Sequence, residues 1–556
     1  MPARAWRAFL QPHSGTPLPV VLRLGIAAAT GAGLALSYAG LYLAIYSWVC
    51  VGLLIIVLFG ARPFVAFACG FLHGLAFVLA SVPWIAAVLA LHGGLSAAGG
   101  WAILLLIAAT WGVLTGGFAW CVHRLSRRGI AFACAGAPFL WVTFEFARAH
   151  LPEISFPWNL LGYPVSNNLG LLQLTTITGI YGLSFLVAGF NALLAWADVA
   201  PQPRAMRRLG VFTAATALLL LVVFVAPRFV PEAQAKHYAR AVQTNFPEVD
   251  AYPADWFGAN TQNLDDVEQL SLAPSQNEPD LIVWPEAPAP FSWQDPRFAK
   301  LASSLAIRAG HPFLAGVIEW KNERMPNGHT GLAAYNSAIL IDAQGQRVFS
   351  YDKMHLVPFG EYEPFPLIHR VVTSVSSEVG GFQKGHAYSV GALPGGYKFG
   401  VYICYEAIYP DEVRRFAARG ADLLINISND GWFGKSSAAE QHLRMARVRA
   451  VENRRWLLRV TNSGITASVD PYGRMYTPMP RDVRGAANLP YDFKHNETIY
   501  TRFGDWFAWL CVAVSAILVL STFVKGMSPQ EALVGRSRIT PVRKPSLAGT
   551  YGKFTT

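Results

Sequence analysis

The sequence predicts a membrane protein in two parts, a polytopic bundle of about eight transmembrane α-helices that carries an α/β domain. Three observations lead to this fold class. Only 14% of the 556 residues are charged and the mean hydropathy is +0.32, whereas a soluble domain carries roughly 25% charged residues. Long apolar runs fill most of residues 1–230. Residues 235–500, in contrast, have the composition of a globular domain, rich in Asp, Glu, Asn and Gln.

The apolar runs give the number of spans. A helix needs about 20 apolar residues to cross a hydrocarbon core of about 30 Å. Such runs predict eight spans, at 22–38, 41–59, 64–82, 100–122, 129–147, 172–197, 210–227 and 505–524. A signal peptide is the alternative for the first run, but the seven spans that follow favour an uncleaved anchor. The apolar stretch 83–100 is broken by Gly and is predicted to be re-entrant or interfacial.

Lys and Arg in the short loops predict the orientation in the membrane. They lie before span one and after spans two, four, six and eight, at Arg4, Arg7, Arg62, 124–128, 204–208 and 525–544. The loops near residue 40 and at 83–99 contain no Lys or Arg, and 148–171 contains only Arg148. Both termini are therefore predicted to be cytoplasmic and the globular domain extracytoplasmic. The net charge of +11 follows from this topology and from contact with anionic lipid headgroups, so no nucleic-acid partner is expected.

These patterns divide the chain into four segments. Residues 1–230 hold spans one to seven, 231–500 the α/β domain, 501–526 span eight, and 527–556 a cytoplasmic tail that is polar and predicted to be disordered. Within the α/β domain, strands are predicted at 237–243, 280–286, 312–319, 335–342, 400–406, 421–428, 456–462 and 465–470. Helices are predicted at 257–271, 296–309, 409–419 and 438–453. This order predicts a layered domain with a mixed sheet.

Cys404 is the cysteine that lies outside the apolar segments. The other five of the six cysteines are in long apolar runs. Cys404 ends an apolar strand and precedes an acidic turn that opens a helix. Such a strand-to-helix elbow exposes a nucleophile and directs helix amide groups towards it. A buried structural cysteine is the alternative, but a lone thiol outside the cytoplasm favours a chemical use.

Two further residues can act on that thiol. Glu286 follows the apolar strand 280–286, at the strand end where α/β active sites gather, and Lys353 lies in the loop 351–364. A surface ion pair and a solvated lysine are their respective alternatives. As a set, Glu286 is a general base for Cys404, and Lys353 stabilises the thiolate and an oxyanion. The sequence has no HExxH, CxxC, GxSxG or phosphate-loop motif, and its histidines show no ligand spacing, so no metal or cofactor is predicted.

The motifs around these residues resemble those of a known superfamily. The stretches 284-WPE-286, 351-YDKMHLVPFGEYEP-364 and 403-ICYEAIYP-410 are similar to the Glu-Lys-Cys triad motifs of the nitrilase, or carbon-nitrogen hydrolase, superfamily. With 156–164, 425–434, 441–474 and the eight spans, the chain resembles the apolipoprotein N-acyltransferase family, the membrane-embedded branch of that superfamily. The resemblance covers almost the whole chain and leaves out the tail after residue 527.

The resemblance implies a fold and a set of residue roles. The globular domain is expected to be a four-layer αββα sandwich. Glu286 is implied as general base, Lys353 as stabiliser of the thiolate and oxyanion, and Cys404 as the acylated nucleophile. Supporting or substrate-binding roles are implied for Glu361, Tyr405 and its backbone N–H, Glu406 and Phe359. Phe359 and 365–368 are expected to meet acyl chains, with core packing as the alternative, and 373–385 is a possible lid.

The resemblance also implies an activity. A fatty acyl chain is expected to pass from a membrane phospholipid, through a Cys404 thioester, to the α-amine of the diacylglyceryl N-terminal cysteine of apolipoproteins. The enzyme is expected to be a cofactor-free monomer in the bacterial inner membrane, with its catalytic domain in the periplasm. A membrane-tethered amidase is the alternative enzyme. A catalytically inactive sensor on a transporter-like bundle is the third possibility, although the spans lack the intramembrane charged residues expected of an ion or solute path, apart from Glu145 near a helix end.

Overall fold

The computed structural model describes residues 18–40, 42–93, 95–151, 155–198, 205–249, 252–324, 330–362 and 381–523. Its first part is a bundle of apolar helices. These are α1 (Val20–Leu36), α2 (Cys50–Leu58), α3 (Pro63–Ser81), α4 (Trp84–Leu91), α5 (Ala97–Ser126), α6 (Ile130–His150), α7 (Leu169–Leu172), α8 (Thr175–Thr178), α9 (Ile180–Asp198) and α10 (Ala205–Val225). A 3-10 helix, Tyr42–Trp48, precedes α2, and another, Ala226–Phe229, extends α10.

Within the described part of the chain, five helices are long and apolar enough to cross a membrane, namely α3, α5, α6, α9 and α10 with its extension. They coincide with five of the predicted spans. The predicted spans one, two and eight coincide with shorter apolar helices, so the count of eight remains a prediction. Helix α4, in the stretch predicted to be re-entrant or interfacial, has eight residues, too few to cross a core that needs about 20.

Small residues let the longest helices pack closely. At Gly70 of α3, an added Cβ would lie 2.3 Å from the carbonyl oxygen of Thr115 on α5. Such a contact is impossible for any larger residue, and close backbone approach through small residues is typical of membrane helices.

The globular domain contains two six-stranded sheets. Its strands are β1 (His237–Gln243), β2 (Leu281–Val283), β3 (Phe313–Arg324), β4 (Thr330–Ile341), β5 (Arg347–Asp352), β6 (Val390–Ala392), β7 (Lys398–Ile403), β8 (Leu423–Ser428), β9 (Trp456–Thr461), β10 (Ala467–Val469), β11 (Met475–Tyr476) and β12 (Gly485–Tyr491). The first sheet has the order β12-β1-β2-β3-β4-β5 and the second β11-β10-β9-β8-β7-β6. Strands β1, β2 and β3 are parallel, as are β7, β8 and β9.

The helices of this domain cover the outer faces of the sheets. They are α11 (Trp256–Ala259), α12 (Thr261–Leu272), α13 (Pro296–Ala309), α14 (Pro410–Ala418), α15 (Ala438–Asn453) and α16 (Ile499–Phe503), followed by the apolar α17 (Trp506–Ser521). One core lies between the sheets, where Leu314 and Leu340 share a cluster with Val401 and Leu458. A second core joins the first sheet to α12 and α13. The order is helix, sheet, sheet, helix, which confirms the αββα expectation.

Helix α15 also belongs to the bundle. Met445, Val448 and Val451 lie in the same apolar cluster as the membrane helices. The globular domain is therefore packed directly on the bundle as well as tethered to it by the chain.

The strand predictions from sequence agree with β1–β4 and β7–β10. Both sheets contain parallel and antiparallel pairs, so the predicted mixed pairing is confirmed, and it occurs in two sheets. The strands β5, β6, β11 and β12 were not among the predicted strands. Strands β6 and β11 have only two or three residues and β12 contains Pro490, so these three show no clear alternation. The predicted tail 527–556, most of the predicted lid 373–385, and 365–368 lie outside the described residues.

Candidate active site

The predicted catalytic residues gather where strands end. Glu286 follows β2, Lys353 follows β5 and Cys404 follows β7. Because the carboxyl ends of parallel strands meet at one edge of a sheet, residues after them come together. The packing of the two sheets then brings the Glu286 edge of one sheet to the Cys404 edge of the other.

Cys404 stands on the predicted elbow. It ends β7 and begins a 3-10 turn, Cys404–Ile408, that leads into α14. Its φ is +47°, a left-handed conformation that costs a non-glycine residue about 1–2 kcal/mol. Strain of this kind persists only where the surroundings hold it. All six cysteines are free, and Cys404 is buried.

Glu286 and Lys353 form a buried ion pair. The Lys353 Nζ lies 3.0 Å from Glu286 Oε1 and 2.9 Å from Glu361 Oε1. Asn336 Nδ2 donates to the same two oxygens, at 2.8 and 2.7 Å. The other Glu286 oxygen accepts from the backbone N–H of Asn429 at 2.8 Å. The partners of Glu286 are therefore all donors, an arrangement that suits an ionised carboxylate.

Glycine at position 316 makes room for the turn that carries Glu286. A Cβ there would lie 2.4 Å from the carbonyl oxygen of Pro285 and 2.5 Å from the nitrogen of Ala287. The Gly316 N–H donates to the Pro285 carbonyl at 3.2 Å. The backbone of β3 thus supports the turn directly.

Burial and the neighbouring charges determine whether Cys404 and Lys353 carry a proton in the resting site. Burial raises the pKa of Cys404, the Glu286 charge raises it further, and Lys353 opposes both. Burial lowers the pKa of Lys353, but Glu286 and Glu361 outweigh burial and raise it above its ordinary value. The resting site thus holds a neutral thiol and an ammonium group, so the thiol needs a base when it attacks.

A second polar cluster lies behind the elbow. His442 Nε2 donates to the carbonyl oxygen of Cys404 at 2.9 Å, and His442 Nδ1 lies 3.0 Å from Asp430 Oδ1. Arg459 Nη2 donates to Asp430 Oδ2 at 2.7 Å. Burial raises the pKa of Asp430, but Arg459 and His442 outweigh it, and the pKa lies below its ordinary value. Burial and the Arg459 charge lower the pKa of His442, so its Nδ1 accepts from Arg459 Nη2 at 3.2 Å while Nε2–H holds the Cys404 carbonyl. The Arg459–Asp430 pair thereby fixes the imidazole.

Cys404, Asp430 and His442 have donor atoms within 4.8 Å of one another, a spacing that a metal ion could bridge. The sequence analysis considered spacing along the chain, and that spacing does not reveal this cluster. The donor set is already engaged, however, because both His442 nitrogens have partners and Asp430 accepts from Arg459 and Ser428. The residues present suit a hydrogen-bonded support for Cys404 better than a metal site.

Glu406 connects the Lys353 loop to the elbow. Its Oε1 accepts from the Tyr351 hydroxyl at 2.7 Å and from the backbone N–H groups of Met354 and His355 at 2.6 and 3.2 Å. Its Oε2 accepts from the N–H of Ile403 at 2.6 Å. Burial, followed by the charge of Glu412, raises the pKa of Glu406 from 4.5 to about 8.

Replacing Glu406 by Gln is expected to slow acylation of Cys404 by about 10²-fold, because an amide turns a donor towards one of these N–H groups and shifts Lys353 relative to Cys404. An acid whose pKa is raised on folding destabilises the folded state as pH rises. Wild-type protein should therefore lose thermal stability relative to the variant between pH 4.5 and 8. Melting in detergent at several pH values measures this difference, and a gap that widens in favour of wild type with rising pH would contradict the assignment.

The remaining predicted residues are less central. Tyr405 is buried, with its ring stacked on Phe156 at a centroid distance of 6.2 Å. Phe359 is half-buried and has a positive φ of +63°. Its predicted contact with acyl chains remains a prediction. Sequence reasoning missed Asn336, Asp430, His442 and Arg459, although a polar residue inside an otherwise apolar strand was a usable signal for Asn336 and Arg459.

The fold and site define a class of protein. A two-sheet αββα domain with a Glu-Lys-Cys cluster at its strand ends, seated on apolar helices, is a membrane-bound member of the nitrilase-type enzymes. The family described as "Carbon-nitrogen hydrolase" matches residues 239–486, and "Apolipoprotein N-acyltransferase N-terminal domain" matches residues 30–193.

Whole-length relatives specify the family. The chain is 34% identical over 514 residues to "Apolipoprotein N-acyltransferase" of Geobacter metallireducens, covering 90% of this chain and 95% of the relative. It is 32% identical to the Rhodopseudomonas palustris protein of the same name, covering 68% and 71%. A solved mutant of the Nesterenkonia AN1 amidase, from the nitrilase superfamily, is 19% identical, covering 46% of this chain and 92% of the amidase with a TM-score of 0.34. The chain belongs to the apolipoprotein N-acyltransferase family.

Membership confirms two predictions. The chain is a multi-pass membrane acyltransferase, and its carbon-nitrogen hydrolase domain fits acyl transfer through a cysteine. Because the relatives match across both parts of the chain, the membrane-tethered amidase and the inactive sensor are no longer favoured.

Proposed function

We propose that this enzyme transfers a fatty acyl chain from a membrane phospholipid, through a thioester on Cys404, to the α-amine of the diacylglyceryl N-terminal cysteine of apolipoproteins. The observation that carries the proposal is a buried thiol on a strained elbow, beside a Glu286–Lys353 pair, in a domain packed on membrane helices. An ester supplies its own activated acyl group, so the proposed chemistry requires no cofactor.

The first half-reaction uses all three residues. Glu286 takes the proton of Cys404 as the sulfur attacks the sn-1 ester carbonyl of the lipid. Lys353 has three N–H donors, and its two carboxylate partners leave one for the oxyanion. The Tyr405 N–H is the proposed second donor. When the C–O bond breaks, Glu286 returns the proton to the departing alkoxide, and a lysophospholipid leaves.

The second half-reaction reverses these roles. The α-amine of the acceptor attacks the thioester carbonyl, and Glu286 removes a proton from the attacking nitrogen. The C–S bond breaks, an amide forms, and the thiolate regains a proton. Glu361 and Asn336 take no proton in this scheme, but they keep Glu286 and Lys353 in place.

The proposed location is the bacterial inner membrane, with residues 231–500 on the periplasmic side and the basic loops in the cytoplasm. Helix α17 supports this orientation. At its amino end, Trp506 Nε1 donates to the Ile177 carbonyl near the catalytic domain, at 2.8 Å. Past its carboxyl end, Thr522 Oγ1 accepts from Arg124 at 3.3 Å, and Arg128 bonds the Ser521 carbonyl. The basic loop therefore lies at the end of α17 remote from the catalytic domain, as the positive-inside rule requires.

The proposed domain boundaries are 1–230 for spans one to seven, 231–500 for the catalytic domain, 501–526 for span eight and 527–556 for the tail. The elements fit them, because β1 begins at His237, β12 ends at Tyr491 and α17 begins at Trp506. The proposed working unit is a monomer with no nucleic-acid partner, since one chain supplies the whole Glu-Lys-Cys set.

Incubating the purified enzyme with phospholipid vesicles, without acceptor, is expected to add one acyl mass to the peptide that contains Cys404. Hydroxylamine should remove the adduct, because it cleaves thioesters. A Cys404→Ala variant should lack the adduct, whereas Cys134→Ser, which alters a cysteine in α6, should keep it. Intact-protein and peptide mass spectrometry measure all three. The absence of an adduct in wild type, together with ammonia release from a small amide, would replace the transferase proposal with the amidase alternative.

A further inference from the structure

A loop of the membrane bundle lies directly beneath the elbow. Residues 155–163, which we call the bridging loop, follow α6 and have no α-helix or strand. Irregular backbone next to membrane helices needs hydrogen-bond partners, because hydrocarbon supplies none. Here the partners are side chains of the membrane helices.

Four consecutive residues, 158–161, are held in this way. The Arg148 guanidinium of α6 donates to the Trp158 carbonyl at 3.1 Å. The Tyr38 hydroxyl lies 3.0 Å from the carbonyl oxygens of residues 159 and 160. The Glu145 carboxylate accepts from the N–H of residue 161 at 2.7 Å.

These anchors are buried and form a fixed platform. Tyr38, Glu145 and Arg148 have exposed fractions of 3%, 7% and 8%. The Arg148 guanidinium also lies over the Trp111 ring, 4.2 Å from its centroid. The adjoining cavity is about 50 Å³, room for a few water molecules but not for an acyl chain. The three buried side chains therefore fix the loop on the bundle.

The other side of the bridging loop contacts the elbow. The Trp158 ring stacks on His442 at 5.6 Å, and its Nε1 donates to Gln441 at 2.7 Å. The Phe156 ring stacks on Tyr405, the residue after the nucleophile. Because His442 holds the Cys404 carbonyl, one series of contacts runs from Arg148 through Trp158 and His442 to Cys404.

We infer that Tyr38, Glu145 and Arg148 are positioning residues that set the geometry of the Cys404 elbow through the bridging loop. The inference rests on Cys404 being the acylated nucleophile. The left-handed conformation of Cys404 needs support from outside its own strand, and the loop supplies part of it. The catalytic domain then depends on the membrane bundle for the alignment of its nucleophile as well as for its location.

The test measures Cys404 acylation by mass spectrometry, with vesicles of phosphatidylethanolamine and phosphatidylglycerol at varied concentration. Arg148→Ala is expected to lower the saturating rate per folded enzyme by about 10²-fold, with the half-saturating lipid concentration changed less than about twofold. Arg148→Lys, which keeps a donor, should recover about a tenth of the wild-type rate.

A matched control is Arg208→Ala. Arg208 lies over the Trp196 ring at 4.8 Å and donates to the Trp196 carbonyl at 3.3 Å, the same chemistry without a link to the elbow. The Arg208→Ala variant should acylate Cys404 at the wild-type rate. Where Arg148→Ala does not fold, Tyr38→Phe removes a single hydroxyl and should slow acylation about tenfold.

The inference would be overturned if wild type, Arg148→Ala and Tyr38→Phe acylated Cys404 at equal saturating rates, or if the variants changed only the half-saturating lipid concentration. Either result would leave the proposed function standing. A wild-type enzyme that forms no thioester would overturn the proposed function instead.

Discussion

Replacing Glu286 by Gln is expected to slow the acylation of Cys404 by about 10²–10⁴-fold, the range that a general base contributes. The pKa of Cys404 is raised by burial and by the Glu286 charge, so almost no thiolate is present near pH 7 and the attack depends on proton removal by a carboxylate. An amide at position 286 keeps the shape but cannot take the proton.

The fold should tolerate this change. The Gln carbonyl oxygen can take the place of Glu286 Oε1 and accept from Lys353 and Asn336. Only the hydrogen bond from the Asn429 N–H to the other oxygen is then lost, at a cost of about 1–3 kcal/mol. A loss of rate without a loss of folded protein is therefore the expected result.

The pH dependence of the acylation rate distinguishes a variant that lacks the general base from one in which the base is only displaced. Without a base, acylation must proceed through the small equilibrium fraction of thiolate. Because the pKa of Cys404 is raised, that fraction grows about tenfold per pH unit through the neutral range. The Glu286→Gln rate should rise with this slope, while the wild-type rate changes less steeply.

Glu319→Gln provides a matched control. Glu319 is fully buried in the same sheet and is paired with Arg347 and Lys321, yet it has no contact with the catalytic cluster. Its replacement should leave acylation within about threefold of wild type, the size of a change away from the chemistry. Equal losses in both variants would indicate a general effect of removing a buried charge and would contradict the role of Glu286.

The sequence predicted Cys404, Glu286 and Lys353 as a set because each has a local signature. Cys404 and Glu286 end apolar predicted strands, and Lys353 lies in a loop with Pro358 and Gly360. Strand ends are local features, and local features are readable from a single chain. That Glu286 and Lys353 lie 3.0 Å apart required the packing of the whole domain, which no local pattern contains.

The support around Cys404 shows where sequence reasoning ends. His442 is 38 residues from Cys404, on the face of α15 that packs against the elbow. His442 is the one histidine of this helix, which has many polar residues, and no spacing in the sequence marks it as functional. The bridging loop was noticed as a motif, but its contact with His442 depends on how the bundle and the catalytic domain pack. Contacts of this kind, between residues far apart in the sequence, arise from tertiary packing and produce no periodic pattern in the sequence.

Replacing Lys353 by Met is expected to slow acylation by at least about 10³-fold. Loss of an oxyanion donor alone costs about 10²–10³ in rate. Lys353 also compensates Glu286 and Glu361, whose Oε1 atoms both lie within 3.0 Å of its Nζ. Two adjacent buried carboxylates cannot both remain ionised, so one of them takes up a proton and the base is impaired as well.

Lys353→Met therefore removes an oxyanion donor and also leaves two carboxylates without their cation, and the second effect should be visible in the stability of the protein. Removing one partner of a buried ion pair typically costs about 3–5 kcal/mol, so Lys353→Met should also melt earlier. A Lys353→Met, Glu361→Gln double variant removes the surplus charge. It should regain stability and return the rate to the loss expected for one oxyanion donor.

Lys321→Met is the matched control for Lys353→Met. Lys321 is likewise paired with two carboxylates, Asp352 at 2.6 Å and Glu319 at 3.6 Å, but its side chain is 33% exposed. Asp352 is partly exposed and can be hydrated, and the buried Glu319 keeps its pairing with Arg347, so the variant should lose little stability and little activity. If Lys353→Met and Lys321→Met lowered acylation equally, or if the double variant gained nothing, Lys353 would be a structural cation only. Single-turnover acylation and melting in detergent, measured side by side, decide between these outcomes.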